Sequence, residues 1–194
     1  QPPLTDAEGV VHVDAKALSV DTRSARFLNN TQLSDSHAVI EDLNQDNPRI
    51  DVRFHAEAPA ADIARFLSEE PVKKAERLQL KPEAVQGAAS GDVALSFYFT
   101  APRDANGKPV ADMGVTYDVK GNITNVTQAG FLGKFDLSGM NGAVAIDNQG
   151  IAVKGEGDVN GAHAKGDVRY LFTAEKGFDT FIKVLAHAPV SALK

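Results

Sequence analysis

Between Gly87 and Phe172 the chain alternates apolar and polar residues at a period of two, and no other feature limits its fold as much. The alternation is cleanest in Val93-Ala94-Leu95-Ser96-Phe97-Tyr98-Phe99. It returns in Val115-Thr116-Tyr117-Asp118-Val119, in Ile151-Ala152-Val153 and in Val168-Arg169-Tyr170-Leu171-Phe172. Successive strand side chains point to opposite faces, so this period describes half-buried strands with one apolar face. Turn signals fall between the apolar runs: Asn106-Gly107, Gly121-Asn122, Asn141-Gly142, Asn148-Gln149-Gly150 and Asn160-Gly161. Asn-Gly is the strongest short hairpin signal, because both residues tolerate positive φ. The region 87–172 therefore reads as a meander of six or so short antiparallel strands.

The flanks add a second period. Residues 9–56 form a first β region, with strand patterns at Val11-His12-Val13-Asp14-Ala15, Ala38-Val39-Ile40 and Arg49 to Ala56. Residues 59–86 read as a helical insertion. Ile63, Phe66 and Leu67 follow Pro59 at helical spacing, and Val72, Ala75 and Leu78 share a face after Pro71. Residues 175–187 read as a terminal helix, with Phe178, Phe181, Ile182 and Leu185 on one side and Pro189 as its stop. Its expected role is to cap the open end of the sheet. Strand runs segregated from helices point to a mainly β, β-rich α+β fold in one segment, 1–194, rather than a doubly wound α/β domain.

Composition removes several function classes. Net charge is −6 with acids and bases interspersed, so there is no basic stripe for nucleic acid and no polybasic patch for anionic lipid headgroups. Cysteine is absent, which excludes a disulfide framework and a zinc–thiolate site. It also suits an oxidising compartment such as the bacterial periplasm. No apolar run reaches the roughly eighteen residues of a membrane helix. A start at Gln1 with no signal peptide fits an excised or processed form.

The candidate chemical motifs dissolve on inspection. His12, His37, His55, His163 and His187 have no metal-ligand spacing. Asp42-Leu43-Asn44-Gln45-Asp46-Asn47 begins like a calcium loop, but Asn47 and Arg53 stand where Gly and Glu are needed, so an Asx-rich turn is expected. In Gly155-Glu156-Gly157-Asp158-Val159-Asn160-Gly161 the glycine spacing fits no phosphate loop; close backbone approach in a strand is the better reading. Gly-x-Ser-x-Gly is missing and no carboxylate pair stands out, so no enzyme and no cofactor are expected. Three glycosylation sequons, at Asn29, Asn122 and Asn125, matter only for a chain exported through a glycosylating pathway.

Several passages, in order, resemble the AsmA-like family of bacterial envelope proteins, its large YhdP-type members in particular. The Val11 to Asp21 strand leads into Leu33-Ser34-Asp35-Ser36-His37-Ala38-Val39-Ile40-Glu41-Asp42-Leu43. Asn47 to Val52 runs on to Ala60-Ala61-Asp62-Ile63-Ala64-Arg65-Phe66-Leu67. The passages Val85 to Leu95 and Leu137 to Gly150 follow. The likeness covers roughly residues 9–172 by pattern, without an invariant motif.

This resemblance implies an elongated, twisted, partly open antiparallel β-sheet groove. Its apolar face would shelter phospholipid acyl chains between inner and outer membrane, supporting outer-membrane integrity. It further implies a periplasmic location, with membrane anchoring and contact only through regions outside this segment, and no catalytic residues. The expected lining is Val93, Leu95, Phe97, Phe99, Val115, Tyr117, Val119, Ile151, Val153, Val168, Tyr170 and Phe172. For each of these an ordinary closed core is the competing reading, and a one-residue register error would invert the face. The alternative function is a non-catalytic structural or protein-interaction β module with a closed core.

Overall fold

A computed structural model describes residues 4–28, 30–68, 81–100, 106–108, 114–131, 134–175 and 177–187. The chain is mainly β. Ten strands form one antiparallel sheet in strict sequence order, and the sheet does not close. The strands are β1 Leu4–Val13, β2 Leu18–Phe27, β3 Thr31–Ile40, β4 Arg49–Pro59, β5 Val85–Tyr98, β6 Thr116–Phe131, β7 Phe135–Asp147, β8 Gly150–Val159, β9 Ala162–Glu175 and β10 Phe178–His187. Among the described residues one helix, α1 Ala60–Ser68, follows β4, and a 3₁₀ turn, Pro82–Ala84, leads into β5. By compactness the chain divides into a unit of Gln1–Ala56 with Asp92–Val119 and a unit of Glu57–Gly91 with Lys120–Lys194.

Several expectations are corrected here. Among the described residues the meander shows five strands, and they are long, 10 to 16 residues, where six or so short ones were expected. Gly121-Asn122 and Asn141-Gly142 lie inside β6 and β7 and turn nothing. In Gly121 a Cβ would run into the Ser90 carbonyl oxygen, and in Gly142 it would sit 2.7 Å from Gly155 Cα. These glycines serve close strand approach, which matches a turn signal in composition but not in geometry. The expected Val11 to Asp21 strand is two strands, β1 and β2, around a turn at Asp14 to Ala17.

The terminal helix at 175–187 is strand β10. Its apolar residues keep a helical spacing, but Thr180, Ile182 and Val184 are β-branched and share one strand face, which favours pairing with β9 over a helix. The second helical stretch expected around Val72 to Leu78 lies outside the described residues, as do 101–105 and 109–113 on either side of Asn106-Gly107.

The turns that exist have clear causes. Asn160 and Gly161 carry φ of 50° and 77°, the two positive values of a type I′ turn, and join the paired Val159 and Ala162. Asp147 Oδ1 accepts the N–H groups of Gln149 (2.7 Å) and Gly150 (3.0 Å), closing β7 onto β8. Asp14 Oδ1 accepts those of Lys16 (2.7 Å) and Ala17 (2.8 Å) between β1 and β2. These two backbone donors hold the Asp14 carboxyl below its ordinary value. The segment Asp42 to Asn47 is the expected Asx turn: Asp42 Oδ1 accepts the Asn44 N–H at 3.0 Å.

Bulges cross the sheet in register. In the second unit Gly87, Asn125 and Gly139 all have positive φ (105°, 51° and 59°) on three neighbouring strands. The Asn125 N–H donates to Asn141 Oδ1 (3.0 Å), and the Gly139 N–H to Thr127 Oγ1 (3.4 Å). The Asn125-Val126-Thr127 sequon is thereby accounted for as bulge chemistry. Ala60 and Ala64 of α1 pack with Val85 and Val126, and no side chain among the described residues is fully buried.

Candidate functional site

The two faces of the sheet are chemically distinct, and cross-strand register assigns them. In the second unit Val144, Val153, Val168 and Ile182 stand directly opposite one another along β7, β8, β9 and β10. The next row is Ile146, Ile151, Tyr170 and Thr180. On the other side lies a row without bulk: Gly142, Gly155 and Gly166, then Val184. The alternate positions carry charge. Glu156 pairs Lys165 at 3.6 Å, Asp158 pairs His163 at 3.3 Å, and Lys154 stands opposite Asp167. Over β7 to β9 one face is therefore mainly aliphatic and the other a cross-strand ladder of charges, while on β10 Phe181 and Leu185 stand opposite Arg169 and Lys165 on the charged side.

The first unit shows the same division. His55 Nδ1 lies 2.8 Å from Asp92 Oδ1, the Ser96 hydroxyl donates to Asp51, and Arg49 stacks 5.7 Å over the Tyr98 ring. These polar partners fix the parity of β4 and β5. Ile50, Val52 and Phe54 fall on the opposite face with Val93, Leu95 and Phe97, all half-buried. On β1 to β3, Val13, Leu18 and Ile40 form one row and Val11, Val20 and Ala38 another. Asp21 marks the polar side, with His37 Nδ1 at 2.7 Å and His12 Nε2 at 4.0 Å.

The structure places the expected lining residues as follows. Val93, Leu95, Phe97, Phe99, Val115, Tyr117 and Val119 belong to the first unit; Ile151, Val153, Val168, Tyr170 and Phe172 belong to the second. Ile151 opposes Tyr170 and Val153 opposes Val168, so four of the second set are brought together on one face. Tyr170 and Phe172 meet edge to face, with centroids 6.0 Å apart. Ile151 and Tyr170 are buried, and Val153, Val168 and Phe172 half-buried.

Two positions depart from a strand wall. Phe99 lies beyond the end of β5 and is 55% exposed; its N–H bonds to the Pro48 carbonyl (3.3 Å) beside an Asn47–Thr100 pair. Val115 immediately precedes β6.

Sequence reasoning missed Val144, Ile146, Ile182 and Val184 on this face. The first two were legible in the alternation of Ala143-Val144-Ala145-Ile146. The last two were hidden by the helical reading of β10.

Among the described residues, Ala60 and Ala64 of the helix pack with Val85 and Val126 in the second unit. There Asp62 is buried, with Oδ1 3.6 Å from Arg65 and Oδ2 without a partner. Its carboxylate sits in the first turn, where the helix dipole favours it. Among the described residues no three His, Cys, Asp or Glu side chains are grouped to hold a metal ion, and no helix is long and apolar enough to cross a membrane.

Fold and faces together define a class: an open, single-sheet antiparallel β protein, each unit of which separates apolar from polar side chains across the sheet. No family profile, no curated protein and no solved structure matches this chain.

Proposed function

We propose that the chain is a segment of a periplasmic lipid conduit of the AsmA-like type, anchored at the inner membrane through regions outside this segment. In this reading its aliphatic face shelters phospholipid acyl chains between inner and outer membrane, without catalysis and without a cofactor. The carrying observation is the row Val144, Val153, Val168 and Ile182, with the neighbouring row Ile146, Ile151 and Tyr170. This surface continues across four strands, holds no acidic or basic side chain and ends in Ile182 at 57% exposed.

Acyl chains ask for nothing more. Each methylene withdrawn from water contributes about 0.8 kcal/mol, without any directional partner. A strand of ten residues spans roughly 33 Å, enough breadth for an extended chain. The glycine row Gly142, Gly155 and Gly166 beside the valine row adds no side chains to this surface. The charged reverse face keeps such a sheet in water.

Native purification followed by lipid extraction and mass spectrometry tests this. Expected is phospholipid recovered at a fixed molar ratio to protein and displaced by added fatty acid. Protein that purifies without lipid and leaves a fluorescent acyl probe unbound would sink the conduit and favour the structural module.

A further inference from the structure

A glycine in a strand interior weakens the strand, because it loses more backbone freedom on folding than any other residue and packs nothing. Among the described residues, every glycine but one is accounted for by the chain itself. Some have a positive φ. The others would drive a Cβ closer than 3.0 Å to the backbone of a neighbouring strand, as Gly155 would to Gly142 Cα at 2.9 Å. Gly166, in the middle of β9, is the exception. Its φ is not positive, and among the described residues only Lys183 O and Val184 Cγ2, both at 3.4 Å, lie within 4 Å of an added Cβ. Its pairings with Gly155 and Val184 lie in ladders that keep their register there, so it makes no bulge.

An alanine fits at 166 and restricts the unfolded chain, so folding alone favours a side chain there. Of the usual causes of a strand glycine, the one left is the close approach of a ligand. Gly166 shares its strand face with Val168 and Tyr170. Val184 directly beside it is 54% exposed, so the position opens on the aliphatic face.

We propose that Gly166 is the position at which a lipid acyl chain lies directly against the strand, the hydrocarbon taking the volume of the missing side chain. The proposal rests on the conduit reading and locates the contact within it. Ala164 and Val168 flank Gly166 on the same face of β9, and Gly155 and Val184 stand opposite it. None of these side chains carries a charge or a hydrogen-bonding group, which suits a methylene segment and not a headgroup. Gly157 on β8 is the contrasting case. An added Cβ there would meet Met140 Sδ at 2.5 Å, so a side chain of the protein fills the place that lipid takes at Gly166. A side chain at 166 and an acyl chain compete for one volume. Affinity for the lipid tail therefore falls with the size of residue 166, while the fold is kept.

Titration of a fluorescent polyene fatty acid into the 194-residue chain, with a thermal melt of each variant, tests the contact. G166A is expected to melt at or above the wild-type temperature and to bind about fourfold more weakly, the worth of one methylene kept off the protein. G166L is expected to bind about tenfold or more weakly. A152L adds the same bulk on the charged face and is expected to bind as wild type does. Should G166L not fold, G166A carries the test alone. Folded Gly166 variants that bind as tightly as wild type, while V153E loses the probe, overturn the contact and leave the conduit standing. A G166A chain that melts well below wild type also overturns it, because folding would then account for the glycine. Wild type that binds no probe removes the conduit and this contact with it.

Discussion

Single residues carry the turns and the close approaches of this sheet, and both kinds of role have measurable signatures. Asp14 is exposed, yet its carboxylate accepts two backbone N–H groups in the β1–β2 turn, which favours the charged form. Its folded pKa lies below 3.8, the unfolded value, so the turn's stabilisation is complete above that pH. It is lost as pH falls through the folded pKa. A carboxyl NMR titration is expected to place the Asp14 midpoint below 3.8, and Asp14→Ala to remove that part of the acid dependence of unfolding. Glycines divide just as sharply. A Cβ on Gly142 would meet Lys154 O at 2.5 Å and Gly155 Cα at 2.7 Å, both backbone atoms that cannot rotate away. Gly142→Ala is expected to cost about 1–3 kcal/mol in denaturant unfolding. A Cβ on Gly166 meets nothing nearer than 3.4 Å. Gly166→Ala is expected to leave stability unchanged or raise it by about 0.4–1 kcal/mol through the unfolded chain.

Elements show where local pattern suffices and where pairing overrides it. Alternation in Val93 to Tyr98 and Val168 to Phe172 placed β5 and β9, because strands with one wet and one dry face print the pleat directly into the sequence. The apolar parity inferred for Val153 and Val168 is the one their cross-strand partners display. Three features were not legible. Phe178, Phe181, Ile182 and Leu185 keep a helical spacing and give no clean alternation, so only the presence of β9 decides. Gly121-Asn122 and Asn141-Gly142 have the composition of turns, and nothing local distinguishes a glycine that bends from one that lets strands close in. The bulge line through Gly87, Asn125 and Gly139 is a property of three strands together and has no signature in any one of them. That line makes its own prediction. Gly139 has a φ of 59° and open space around it, with Asn125 Oδ1 at 3.9 Å, so Gly139→Ala introduces backbone strain without a clash. The expected loss is about 1–2 kcal/mol, read as a lower denaturant midpoint at unchanged slope.

At the scale of the molecule, the question is what the aliphatic face does, and two consecutive residues of β8 can answer it. Among the described residues, half of the ten buried apolar ones are alanines, so the larger aliphatic side chains are not hidden in a deep core. Ala152 and Val153 point to opposite faces. Ala152 stands opposite Arg169 on the charged face, where a glutamate gains a cationic neighbour. Val153 stands between Val144 and Val168, where a glutamate places a carboxylate in the middle of the proposed acyl-chain floor. Ala152→Glu is expected to bind a fluorescent acyl probe as wild type does and to carry the same lipid on purification. Val153→Glu is expected to weaken probe binding by about tenfold or more, the effect of forcing a charge against a hydrocarbon tail. Thermal melting beside each titration separates a lost site from a lost fold. Equal losses in both variants would mean that the faces do not differ in function, against the register that divides them. Two variants that both bind like wild type would leave the aliphatic face without a lipid role.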